Sequence, residues 1–290
     1  MFTGALTALV TPFRDGAVDV AALRDLIEWQ IQSGIDGLFP CGSTGESATL
    51  SHAEHDSVVR LTIEQARKRV PVLAGTGSNS TAEAIRLTAA AREMGADGAV
   101  LLSPYYNKPT QDGIFRHYKA IATSVDLPLF VYNIPGRTAS NIAPETFARL
   151  SEIKNIVGVK EASASMDQSS DILKLCGDRL AIFSGDDALT IPLIALGAKG
   201  VMSTCSNVAP REMHDLASAA LAGDFAKARE IHYRLLPLMR ALFVETNPIP
   251  IKQALAFMGK CANELRMPLL PMTAGPAERL RVAMKELRLV

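Results

Sequence analysis

Lys160 closes the run Ile156-Val157-Gly158-Val159-Lys160, a cation at the end of a stretch apolar enough to be a buried strand. An ammonium in apolar surroundings costs free energy unless it is paired or loses its proton. A lysine pushed toward neutrality is a nucleophile that attacks carbonyl carbon and forms a Schiff base. On the strand alone a structural reading competes, in which the side chain snorkels to the surface or pairs with Glu161. Tyr132 ends the preceding apolar run and needs a partner for its hydroxyl. Gly42-Ser43-Thr44-Gly45 is either a plain strand–turn–helix joint or an anion cradle, in which backbone N–H groups and two hydroxyls hold a carboxylate. Arg137, in a Pro-Gly turn, is either a solvated charge or a bidentate carboxylate ligand. Tyr105-Tyr106 suits packing and chemistry equally. Asp186-Asp187, following Gly185, reads as a helix cap in preference to a metal or acid–base pair. His52 and His55 are one helical turn apart with no third ligand in view, so no metal is expected.

The elements that must carry these residues recur at near-regular intervals. Short apolar runs occur at 5–10, 37–39, 70–74, 99–102, 129–132, 156–159, 181–183 and 200–202, each suited to a strand buried on both faces. Between them lie amphipathic segments. Leu23, Leu26, Ile27 and Ile31 have helical spacing and stop at Gly34. Ser51-His52-Ala53-Glu54 and Ser80-Thr81-Ala82-Glu83 have the form of capping boxes, and Pro144 suits a first helical position. Eight strands alternating with helices predict an α/β fold, the (β/α)8 TIM barrel; a doubly wound open sheet ranks second, because the full dinucleotide fingerprint is absent. Beyond residue 210 the strand signal stops, which predicts a barrel over 1–225 and a C-terminal helical segment over 226–290 packed on it. Hydroxyls, glycines and the lysine follow the ends of the runs, whereas the starts carry spacers such as Lys154-Asn155. That asymmetry is what an active rim at the C-terminal ends of barrel strands predicts.

Composition narrows the function classes. Thirty basic and thirty acidic side chains cancel, which gives no basic face for nucleic acid and no polybasic membrane anchor. Residues Met1 to Ala5 hold no basic segment ahead of an apolar stretch, so no signal peptide is expected. Cys41, Cys176, Cys205 and Cys261 are too dispersed for a disulfide scaffold, and a reducing cytoplasm fits. Cys41 adjoins the glycine-hydroxyl loop and raises the question of a reactive thiol.

Taken together, Gly42-Ser43-Thr44-Gly45-Glu46, Tyr132-Asn133-Ile134-Pro135-Gly136-Arg137-Thr138 and Gly158-Val159-Lys160-Glu161 resemble the family of pyruvate-dependent class I aldolases and lyases, over essentially the whole chain. The likeness is to its synthase branch in diaminopimelate and lysine biosynthesis. It implies that Lys160 condenses with pyruvate and that Tyr132 relays protons, with Ser43 and Tyr106 extending the relay. Tyr106 would reach across a dimer interface. Thr44 would hold the pyruvate carboxylate and Arg137 the carboxylate of L-aspartate 4-semialdehyde, with Gly185 and Met202 also binding substrate. No cofactor is needed, because the lysine is itself the electron sink. The product would be 4-hydroxy-tetrahydrodipicolinate. Ser47, Ala48, His52, His55, Asn79, Glu83 and Tyr105 match the pocket in which feedback-regulated members bind L-lysine. A homodimer or a homotetramer built as a dimer of dimers is implied, the tetramer being favoured. Ser43 stands where the branch usually has threonine and is also found in sialic-acid lyases, whereas Arg137 favours the synthase. The alternatives are a Schiff-base lyase for a sialic acid or a 2-keto-3-deoxy sugar acid, and a catalytically silent barrel with a solvated Lys160.

Overall fold

The computed structural model describes residues 2–290; Met1, part of the segment read for a signal peptide, lies outside them. Eight parallel strands form one sheet: β1 (Gly4–Ala8), β2 (Gly37–Phe39), β3 (Leu73–Gly75), β4 (Gly98–Leu102), β5 (Leu129–Asn133), β6 (Ile156–Glu161), β7 (Ala181–Ser184) and β8 (Gly200–Ser203). Their order is β2-β1-β8-β7-β6-β5-β4-β3. The ring closes through a parallel bridge between Leu38 and Val72, with Gly75 N donating to Pro40 O at 2.9 Å. This is the expected TIM barrel. The first and third apolar runs start or stop one to three residues away from β1 and β3. A small hairpin pairing Phe13–Arg14 with Ala17–Val18 was not anticipated.

Helices α1 (Val20–Gln32), α2 (His52–Ala66), α3 (Thr81–Glu93), α4 (Gln111–Ser124), α5 (Pro144–Leu150), α6 (Met166–Cys176), α7 (Thr190–Ala195) and α8 (Pro210–Leu221) surround the sheet. Ser51 and Glu54 form the expected capping box at α2. At α3 only half of it forms. Ser80 accepts from Glu83 N, but the Glu83 carboxylate turns to Ser78 and His52, which offer it better donors. After α8 come α9 (Phe225–Ala241), α10 (Ile249–Phe257) and α11 (Ala274–Glu286). Pro248 caps α10 and Pro250 lies in its first turn, where proline is well tolerated.

Apolar burial divides by strand face. Leu6, Phe39, Leu73, Val100, Phe130, Phe183 and Met202 fill the barrel, whose interior is a packed core. Opposite faces pack outward on the helices, and one of these outer clusters runs from Leu9 and Leu38 to Leu238, Leu255 and Leu280 in the C-terminal helices. Packing of this kind leaves the strand ends and the loops after them as the places for polar side chains.

Candidate active site

Lys160 points into the barrel because of one extra residue. β5 and β6 pair Leu129 with Ile156 but Phe130 with Gly158, which leaves Val157 as a bulge. Each inserted residue reverses the in–out alternation of a strand. Beyond the bulge, Tyr132 pairs with Lys160 on the inner face and Asn133 pairs with Glu161 on the outer. Unbulged pairing from Leu129–Ile156 would have set Lys160 beside Asn133, facing the helices. Gly158 makes the inward turn feasible, since a Cβ there would stand 2.2 Å from the Phe130 ring.

Both structural readings of Lys160 fail. The residue is 4 % exposed, so it does not snorkel to the surface. Glu161 lies on the opposite face and accepts from Asn133 Nδ2 at 3.1 Å and Ser163 N at 2.7 Å. Lys160 Nζ instead sits 4.4 Å from the Tyr132 ring centroid and 5.0 Å from that of Phe39. Burial brings its pKa down to about 7, with the Asp187 carboxylate opposing and Arg137 adding to the fall. Burial also raises the Tyr132 phenol, opposed by Arg137. An amine free to lose its proton beside a phenol that keeps its own is suited to carbonyl addition with proton relay.

Asp186 and Asp187 part company. Asp186 caps the turn at 187–189, accepting from Ala188 N at 2.9 Å, as expected. Asp187 is buried instead and accepts from Thr204 N at 3.2 Å and Cys205 N at 2.9 Å, at the end of β8. Its Oδ1 has no partner among the described residues, and burial raises its carboxyl to about 6. It is the counter-charge to Lys160 that the cap reading missed.

The glycine-hydroxyl loop and Arg137 are joined by Asn247, which belongs to none of the sequence motifs above. Asn247 Nδ2 donates to Thr44 Oγ1 at 2.9 Å, and Asn247 O accepts from Arg137 Nη2 at 2.7 Å. Gly185 sits where a Cβ would come within 2.6 Å of Ala162 Cβ, and Met202 is buried inside the barrel. Cys41, by contrast, is buried, and burial raises its thiol, so the thiolate needed for reactivity is disfavoured.

Ser43, Arg137 and Asn247 line a cavity of about 430 Å³ together with Ser47, Ala48, His52, His55, Glu83 and Tyr105. His52 Nε2 lies 2.8 Å from Glu83 Oε1, and His55 Nε2 donates to Gly75 O at 2.7 Å. Hydrogen bonds from Ser78 and His52 hold the Glu83 carboxyl below its ordinary range. Asn79 stands behind this wall, donating to Tyr105 O at 3.3 Å. Tyr106 is 89 % exposed, with φ of 71°, a left-handed conformation that is costly for a bulky residue. Within one chain its ring is left in solvent.

The profile of the Dihydrodipicolinate synthetase family matches residues 1–287. The chain is 57 % identical over 290 residues to the 4-hydroxy-tetrahydrodipicolinate synthase of Syntrophus aciditrophicus, covering 100 % of both. It is 43 % identical, with a TM-score of 0.99 and full coverage of both chains (100 %), to the chloride-inhibited dihydrodipicolinate synthase of Acinetobacter baumannii in complex with pyruvate. A third likeness is the dihydrodipicolinate synthase of Cyanidioschyzon merolae with lysine bound, at 41 % identity and a TM-score of 0.97, covering 100 % of this chain and 99 % of that one.

Proposed function

The chain belongs to the Dihydrodipicolinate synthetase family, and from that premise we propose that its barrel rim condenses pyruvate with L-aspartate 4-semialdehyde to give 4-hydroxy-tetrahydrodipicolinate. The observation that carries this reading is the buried Lys160 amine, brought to a pKa of about 7 beside the Tyr132 ring. Its lone pair adds to the pyruvate carbonyl, and the carbinolamine loses water to leave an imine. The imine sheds a methyl proton and becomes an enamine. The enamine carbon adds to the aldehyde, whose oxygen takes up a proton. The amine of the second substrate then displaces Lys160 from the imine carbon, closing the ring and freeing the enzyme. Tyr132 hands protons in and out, with Ser43 and the partner-facing Tyr106 leading them toward solvent. Thr44 holds the pyruvate carboxylate, with Gly185 and Met202 completing the pocket. Borohydride tests the first step. Pyruvate and borohydride together should add one reduced pyruvate unit to the intact protein, and an unmodified mass would sink the proposal.

Arg137 takes the carboxylate of the aldehyde substrate. A charge-assisted bond of this kind contributes about 1.5–3 kcal/mol, or roughly 10- to 100-fold. Arg137→Ala is expected to raise the KM for the aldehyde by that factor and to leave pyruvate trapping intact. Because Arg137 helps lower the Lys160 pKa, the pH midpoint for trapping should also move up. An aldehyde KM within error of wild type would favour the sugar-acid lyase alternative.

The part of the 430 Å³ cavity lined by Ser47, Ala48, His52, His55, Glu83 and Tyr105 is an L-lysine site, in which Glu83 meets the ligand's ammonium, with Asn79 behind. L-lysine is expected to inhibit, and Glu83→Ala to raise the inhibition midpoint about tenfold, the scale of one charge-assisted contact. Full activity at millimolar L-lysine, with no calorimetric binding, would refute this site. The exposed Tyr106 fits a homotetramer built as a dimer of dimers, in which each site borrows that ring. No described helix is long and apolar enough to cross a membrane, and a cytoplasmic setting suits the reaction. We also read residues 226–290 as a helical segment packed on a barrel of 1–225.

A further inference from the structure

Glu46 closes the glycine-hydroxyl loop and takes no part in the chemistry above. Its φ of 52° lies in the left-handed region, which a glutamate seldom adopts without being held there. The residue that holds it is Lys252 on α10, with Nζ 2.5 Å from Glu46 Oε1 and the two side chains 0 % and 1 % exposed. Lys252 Nζ also donates to Glu264 O at 2.7 Å and lies over the Phe13 ring, 3.9 Å from its centroid. The other carboxylate oxygen, Glu46 Oε2, accepts from Arg266 N at 3.1 Å.

Taking two charges out of water is expensive, and well-packed apolar residues usually stabilise a core as well or better. Stability alone therefore does not account for the pair. What such a pair supplies is a single geometry. Two residues earlier in the loop, Thr44 is fastened to Asn247, which immediately precedes Pro248, the N-cap of α10. Alternate residues of one loop are thus tied to α10 and to the residue ahead of its cap, and Thr11 Oγ1 donating to Gly45 O at 2.7 Å fixes the residue between them.

We propose that Glu46 and Lys252 are positioning residues, which hold the Ser43–Thr44 loop in the conformation that receives the pyruvate carboxylate. The proposal rests on the role given above to Thr44.

The double variant Glu46→Gln/Lys252→Met tests it, since it removes both charges at similar length and leaves no lone buried ion. Displacing a binding loop by a fraction of an ångström should raise the KM for pyruvate about tenfold, with the KM for the aldehyde changed by less than about twofold. Circular dichroism confirms that the measured protein is folded. If the pair only stabilises, its removal lowers the melting temperature and leaves both KM values alone; that result overturns the proposal. If the double variant does not fold, Lys252→Arg keeps the charge but shifts its position. It should show the same selective rise in pyruvate KM, and unchanged values there overturn the proposal equally. Borohydride trapping on the wild type separates the two levels. No adduct on the wild type defeats the Schiff-base reading itself, whereas an adduct with unaltered variant KM values defeats only the clamp.

Discussion

Lys160→Ala is expected to yield a folded protein that forms no borohydride-stable pyruvate adduct and whose kcat falls on the order of 10⁴- to 10⁶-fold, the scale seen when a nucleophile working as a unit with its relay is removed. Structural consequences should be small, because Lys160 makes no hydrogen bond among the described residues and its neighbours are aromatic rings. In the wild type the trapping rate should follow the neutral amine. It should fall about tenfold per pH unit below the Lys160 pKa of about 7 and level off above it. A rate still climbing toward pH 10 would mean that the amine is not desolvated and keeps an ordinary lysine's proton affinity.

The same shift predicts a stability effect. Unfolded, Lys160 holds its proton up to an ordinary 10.5; folded, only up to about 7. Between those values the unfolded chain binds more protons, so stability rises with pH across that window. Below it both states are protonated, and the cost of the buried charge is present in full, at most about 5 kcal/mol for a shift of this size. Lys160→Met should therefore melt higher than wild type at pH 6, with the gain shrinking as pH approaches 10.5. The folded chain would be giving up stability to keep a nucleophile.

Much of this site could be read from residue types, and the parts that could not have a common cause. Eight apolar runs with capped helices between them are enough for a parallel barrel, because both signals are local. Lys160, Tyr132 and Thr44 stood out because polar groups at the ends of buried strands need an explanation. The direction in which Lys160 points was not legible. It depends on the bulge at Val157, which exists only once β5 and β6 have paired. Asn247 lay outside any motif, since its partner Thr44 is 203 residues away in the chain. Asp187 was hidden by Asp186, because a local cap accounts for one carboxylate and nothing in the sequence says that the other turns inward. The Ser80–Glu83 box failed for the same reason: Ser78 and His52 compete for the carboxylate only in the folded chain.

Tyr132→Phe is expected to lower kcat by about 10²- to 10³-fold, the usual contribution of a positioned proton donor. The substitution is clean. Phenylalanine fills the same volume inside the barrel, and no described group hydrogen-bonds the hydroxyl, so the melting temperature should hold or rise. Burial raises the phenol's pKa, so it stays protonated across the working range. The pH profile of the variant should therefore keep its midpoint near that of the Lys160 amine and lose only height. A structural role would behave the other way, with lower stability and near-normal turnover in the folded fraction. Pyruvate should still be trapped, but more slowly, because loss of water from the carbinolamine needs a proton that bulk solvent delivers less well. Adding Tyr132→Phe to Lys160→Ala should cost almost nothing further, since a relay without its nucleophile has nothing to serve. Additive losses in that double variant, or a kcat within tenfold of wild type in the single one, would show that the ring only packs against Lys160 and that the protons travel by another route.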